Sequence, residues 1–239
     1  MAKKNVLVVG DCHIPAVLQK PSYFKFLERV AEEWETTHTV VIGDLVDWQA
    51  LNFHEKHPGA ASPTEEFAKA KRMVAQLHNI FPKKVEWLLG NHDSLTYRQA
   101  AKVGICEEWL LDPLDLFELK DWTVHPRYST VEIDDVLYSH GEVGPGGQFA
   151  SVKQSRANFQ STVIGHWHSE AGVWYTANEN HLTFGMNVGT GCDRHSLAFD
   201  YGRKFVRKPI VSCGVVLKGR VAHLLPMDMP IRRRDASDQ

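Results

Sequence analysis

The sequence predicts an α/β protein whose strands deliver polar groups to one edge of a sheet. Two observations carry this. Five short apolar runs, most rich in β-branched residues, read as buried strands. Each stops at a residue able to ligate a metal: Asp11-Cys12-His13, Gly43-Asp44-Leu45-Val46-Asp47, Gly90-Asn91-His92-Asp93, His140-Gly141 and Gly165-His166-Trp167-His168. The second observation is a helical pattern between the first two runs. It makes a β-α-β unit, hence parallel pairing with a right-handed crossover. In open α/β sheets, ligands gather at the carboxyl ends of such strands, which is where these groups fall.

The first strand covers about residues 5–10. Asp11 and His13, two apart, would point the same way from an extended segment and could share one metal. Residues 21–34 read as a helix with Phe24, Leu27, Val30 and Ala31 on one face, returning to a second strand at 39–42. Residues 48–61, with His54 among them, are either a wall of the site or a surface excursion. Ser62-Pro63-Thr64-Glu65 opens the next helix: an N-cap, a proline at N1 and a capping-box glutamate at N3. Phe67, Ala70, Val74, Leu77 and Phe81 form its apolar stripe, and Pro82 stops it.

A third strand is expected at 84–89. A helix at 97–102 carries Arg98, which faces either a phosphate or solvent. Residues 107–120 are mixed, with Pro113 as a break. Short strands follow at 122–125, 130–133 and 136–139, the last two joined by an Asp134-Asp135 turn in an antiparallel sheet. The glycine-rich stretch 140–147 lacks the Lys-Ser/Thr ending of a phosphate-binding P-loop and reads as a flexible rim. A helix at 149–159 precedes the strand before His166. From residue 173 onward short β-type runs dominate. One domain over residues 1–226 and a basic tail over 227–239, containing Arg232-Arg233-Arg234, complete the reading.

Composition narrows the function classes. A formal net charge of −2 gives no global field for nucleic acid. No apolar run reaches the roughly 18 residues of a membrane span, and no signal peptide is read at the N-terminus, so no membrane partner is expected. The four cysteines form no CxxC pair, which suits reduced thiols and a cytoplasmic setting.

The candidate ligands are Asp11, His13, Asp44, Asn91, His140, His166 and His168. Seven groups exceed one tetrahedral zinc. With one shared carboxylate they supply two ions, about 3.5–4 Å apart. Asp44 can bridge. Mixed imidazole and oxygen donors suit Mn²⁺ best among the expected ions, with Fe, Zn²⁺ or Ni²⁺ as alternatives. Such a pair hydrolyses phosphoesters with an activated water. His92 is free to protonate the leaving oxygen, oriented by either Asp93 or Asp47.

These motifs, in this order, resemble the calcineurin-like metallophosphoesterase superfamily. The resemblance implies a four-layer αββα sandwich, with two mixed β-sheets flanked by helices and the β-rich C-terminal third in the second sheet. It assigns Asp11, His13, Asp44 and His168 to one metal, and Asp44, Asn91, His140 and His166 to the other. His92 would be the general acid, with Asp47 hydrogen-bonded to it. The protein phosphatases of the superfamily carry Arg-Gly where this chain has Trp48-Gln49. A protein phosphatase is therefore not expected, and Arg98, His54 or the metals must hold the phosphate. Trp167 would pack against the site floor. The expected activity is hydrolysis of a small phosphomonoester or phosphodiester, nucleotides included. The alternatives are a nuclease using Arg203, Lys204, Arg207, Lys208 and Arg232–Arg234, and a non-catalytic scaffold.

Overall fold

The structure is a computed structural model that describes residues 3–53, 57–197 and 206–227. His54, Arg203, Lys204 and Arg232–Arg234 lie outside the described residues, as does residue 228 onward.

Strand β1 (Asn5–Val9) is apolar from Val6 to Val9 because both of its faces are covered there. Val6 and Val8 enter one core and Leu7 and Val9 the other. Helix α1 (Tyr23–Glu33) leads from β1 to β2 (His38–Val41), which pairs parallel to it with Val8 opposite Val40. Ser22 caps α1 by accepting from the Lys25 N–H. Helix α2 (Pro63–Ile80) leads to β3 (Val85–Leu88), and both halves of the capping box between Ser62 and Glu65 form. Helix α3 (Leu95–Lys102) and the short α4 (Pro113–Phe117) precede β4 (Trp122–His125), parallel to β3. Pro113 begins α4 rather than breaking a segment. It stands at the first helical position, where no N–H is needed, behind an Asp112 N-cap.

The second sheet contains β5 (Val131–Ile133), β6 (Val136–Ser139), β7 (Ser161–Ile164), β8 (Ala171–Ala177) and β9 (Leu182–Val188), in the order β5-β6-β7-β9-β8. The hairpin β5-β6 is antiparallel as expected, and Asp134 and Asp135 both take the left-handed conformation its turn needs. β6 pairs parallel with β7, because helix α5 (Ala150–Asn158) carries the chain back between them, β7 pairs parallel with β9, and the edge pair β9-β8 is antiparallel again.

Strands β10 (Ser212–Leu217) and β11 (Val221–Pro226) depart from expectation. They extend the first sheet in the order β11-β10-β1-β2-β3-β4, with β10 antiparallel to β1 and β11 antiparallel to β10. The C-terminal third is thus split between the sheets. β10 is apolar on both faces and finds a doubly covered place beside β1, and the Tyr23 hydroxyl of α1 donates to the Ser212 carbonyl at 2.8 Å.

The layers run helix, sheet, sheet, helix. Leu27, Val74, Leu77 and Trp87 fill the core under α1 and α2, while Ile42, Tyr138, Val163 and Met186 fill the core between the sheets. α5 covers the outer face of the second sheet over Gly185, where an added Cβ would lie 2.5 Å from the Ser151 carbonyl oxygen. Gly185→Ala should therefore push α5 off the sheet and lower stability by about 1–3 kcal/mol, read from the denaturation midpoint. No described helix is long and apolar enough to cross a membrane.

Candidate metal centre

Parallel pairing brings the ends of β1, β2 and β3 to one edge of the first sheet, and the ends of β6 and β7 to one edge of the second. The first two loops are knitted together by backbone bonds from His13 N to Asp44 O (2.9 Å), Ile14 N to Leu45 O (2.8 Å) and Asp47 N to Ile14 O (2.9 Å). Asp11 (φ 42°), His13 (φ 48°), Asp44 (φ 49°) and His166 (φ 66°) all adopt left-handed backbone. The extended reading of Asp11-Cys12-His13 is thus corrected: two left-handed residues, not strand alternation, turn both side chains inward. Such backbone is strained for a side-chain-bearing residue and persists where its surroundings impose it.

The donors converge. Ligand atoms of Asp11, His13, Asp44 and His168 lie within 4.8 Å of one another, as do those of Asp44, His140 and His166, so Asp44 belongs to both groups. Asn91 Oδ1 lies 3.1 Å from His140 Nε2, and Asp44 Oδ2 lies 3.4 Å from it. His168 Nε2 is 2.8 Å from Asp11 Oδ2. Neighbours fix the rings. His140 Nδ1–H donates to the Ile42 carbonyl at 2.9 Å, which aims Nε2 at Asn91 and Asp44. His13 Nδ1 meets Asp47 Oδ1 at 2.9 Å, which turns its Nε2 towards the other donors. Asp11 Oδ1 is buried without any hydrogen-bond partner. An acceptor in that condition is costly, and a cation satisfies it, so the residues fit a metal centre.

His92 sits beside this cluster. Its Nδ1–H donates to the Asp47 carbonyl at 2.7 Å, and Asp47 Oδ1 is 3.1 Å away. Of Asp47 and Asp93, it is Asp47 that orients the ring. Burial opposes protonation of His92, but Asp44 and Asp47 outweigh it and push its pKa up to about 10. Burial likewise opposes protonation of His140, and Asp44 outweighs it, again to about 10. Burial works against the Asp44 charge too, yet His140 and His92 hold its carboxyl well below the usual range. Burial lowers His13 and His166.

A model of the calcineurin-like phosphoesterase family matches residues 4–188. The chain belongs to this family. As a calcineurin-like phosphoesterase it is a phosphoester hydrolase with a candidate metal-ligating cluster. Solved structures similar to it include YfcE, a phosphoesterase from E. coli, at 15% identity and a TM-score of 0.39, covering 88% of this chain and 87% of that one. No curated protein matches the sequence.

Of the two substrate-binding candidates in the phosphoesterase, Arg98 is described and His54 lies outside the described residues. Arg98 Nη1 donates to the Asn91 carbonyl at 3.4 Å, and its guanidinium lies 4.8 Å over the Phe53 ring, which Lys102 Nζ also approaches to 3.8 Å. Trp48 turns inward, between Phe67 and Phe117, so the place of the missing arginine serves the core. Trp167 packs on Gly146 of the glycine-rich stretch, and Gln154 Nε2 donates to Gly141 O (3.1 Å) and Pro145 O (3.3 Å). That stretch is tied down rather than a loose rim.

Asp93 does not orient His92; its work is architectural. It accepts from Val46 N (3.0 Å), Gly90 N (2.9 Å) and Trp87 Nε1 (3.3 Å), joining the second ligand loop to the third. Burial and the Asp44 charge push its carboxyl up to about 7, against those backbone donors. Asp93→Ala leaves three buried donors without an acceptor. At about 1–3 kcal/mol each, a loss of at least about 3 kcal/mol is expected in urea unfolding of the metal-free protein.

Proposed function

We propose that this chain is a two-metal phosphoesterase acting on a small phosphomonoester or phosphodiester, nucleotides included. One observation supports it above the others: two groups of mostly buried donors meet at a common carboxylate, Asp44. In this reading Asp11, His13, Asp44 and His168 hold one ion, and Asp44, Asn91, His140 and His166 the other. Bound ions of this kind acidify water and neutralise phosphoryl oxygens. The chain's own groups do the rest. Asp47 and the Ile42 carbonyl fix the tautomers of His13 and His140. Asp47 keeps His92 oriented and protonated, with Nε2–H as the donor to the leaving oxygen. Arg98, bonded to the Asn91 carbonyl, and His54 are the proposed substrate contacts. The donor set favours Mn²⁺, with Fe, Zn²⁺ or Ni²⁺ next. Four free cysteines suit a reducing, cytoplasmic compartment.

A nuclease would use the basic stretch near residues 203–208. Arg207 there pairs with Glu170 at 3.1 Å, which favours the small-substrate reading. The test is to strip the protein, titrate it with Mn²⁺, Zn²⁺ and Ni²⁺, and assay p-nitrophenyl phosphate, bis(p-nitrophenyl) phosphate and plasmid DNA. Two ions per chain with turnover of an aryl phosphate is the expected result. Two bound ions with no hydrolysis at all would identify a scaffold instead.

A further inference from the structure

The ion pair between Arg127 and Glu142 is absent from every role assigned so far, yet it stands at the rim of the candidate centre. β4 runs parallel to β3, and the pairing continues one step further through Leu89 N to His125 O at 3.0 Å. Arg127, two residues on, therefore lies at the edge from which Asn91 and His92 project. Glu142 lies two residues beyond His140, on the matching edge of the second sheet. The pair spans the two sheets beside the donors.

Arg127 is held on two sides. Its Nε donates to Glu142 Oε2 at 2.9 Å and its Nη2 donates to Oε1, a bidentate grip, with both side chains mostly buried. Tyr128 places its ring 4.4 Å from the guanidinium. Tyr128 is 59% exposed and has left-handed backbone (φ 71°), so the turn keeps an aromatic ring over the arginine at some cost in strain. Of the five guanidinium N–H groups, two serve Glu142. Among the described residues no other acceptor meets the rest. A rigid fork with unspent donors is suited to a phosphoryl oxygen.

We propose that Arg127, gripped by Glu142, is an anion anchor that makes this site prefer phosphomonoesters to phosphodiesters. The inference rests on the two-metal reading above. A monoester has three non-bridging oxygens, so two can face the ions while the third meets the guanidinium. A diester has two, and none remains for Arg127. Asp44 also contributes, after the Glu142 hydrogen bonds, to keeping the guanidinium charged.

The experiment uses metal-loaded protein. Inorganic phosphate binding is measured by calorimetry, and kcat/KM by turnover of p-nitrophenyl phosphate and bis(p-nitrophenyl) phosphate. Arg127→Ala should weaken phosphate about tenfold or more and lower the monoester-to-diester ratio by a similar factor, with two ions still bound. Arg127→Lys, which keeps the charge and loses the fork, should fall between. A ratio and a phosphate affinity both within twofold of wild type overturn the anchor. Should Arg127→Ala fail to fold, Glu142→Gln releases the fork and must lower the ratio, and an unchanged ratio overturns the proposal equally. If the wild type turns over neither ester while its phosphate affinity depends on Arg127, the hydrolytic reading fails and the anchor stands.

Discussion

His92→Ala should slow hydrolysis of phenyl phosphate by about 10²–10⁴-fold while both ions stay bound, since removal of a general acid costs about that much. The geometry behind this is specific. Nδ1 is committed to the Asp47 carbonyl, so only Nε2–H is free to leave the ring. No candidate ion depends on that ring in the proposed assignment, so metal content separates lost acid catalysis from lost assembly. The deficit should shrink on p-nitrophenyl phosphate, whose leaving group needs a proton less. Wild-type speed on phenyl phosphate would remove His92 from the reaction.

Asp44→Asn should empty the centre, reducing the metal content from two ions to below one per chain. The substituted amide keeps an oxygen for the His92 N–H, now at 2.8 Å from Oδ1. It also turns an NH₂ towards the His140 side and offers one donor where two were shared. A second effect runs through charge. Asp44 is the largest influence that raises His92 against burial, so the variant's imidazole should titrate lower. Metal analysis after gel filtration, with an NMR titration of the ring protons, reads both consequences. Full occupancy in the variant would remove Asp44 as the shared ligand.

Much of this is legible in the sequence, for local reasons. The Ser62–Glu65 capping box, the Asp134-Asp135 turn and the doubly apolar β1 each encode their geometry within a few residues. The ligand loops were legible because parallel strands must end at one edge. What was not legible depends on distant partners. Nothing within residues 211–226 says that β10 prefers β1 to β9, because a strand buried on both faces fits either sheet. The inward turn of Asp11 and His13 comes from left-handed backbone imposed by the neighbouring loop. Asp93 reads as a partner for His92 until Val46, Gly90 and Trp87 are brought to it, and Arg127 reads as an ordinary charged residue until Glu142 is.

Asp11, His13, Asp44 and Asn91 hang from one sheet, and His140, His166 and His168 from the other. Ions held by this set would act as rivets through the seam of the sandwich, resisting shear between its layers. A ligand taken up only by the assembled state stabilises it by mass action, so cohesion and chemistry would draw on the same side chains. An exchange of the natural ion for a weaker-binding one would then soften the whole body as well as slow the reaction.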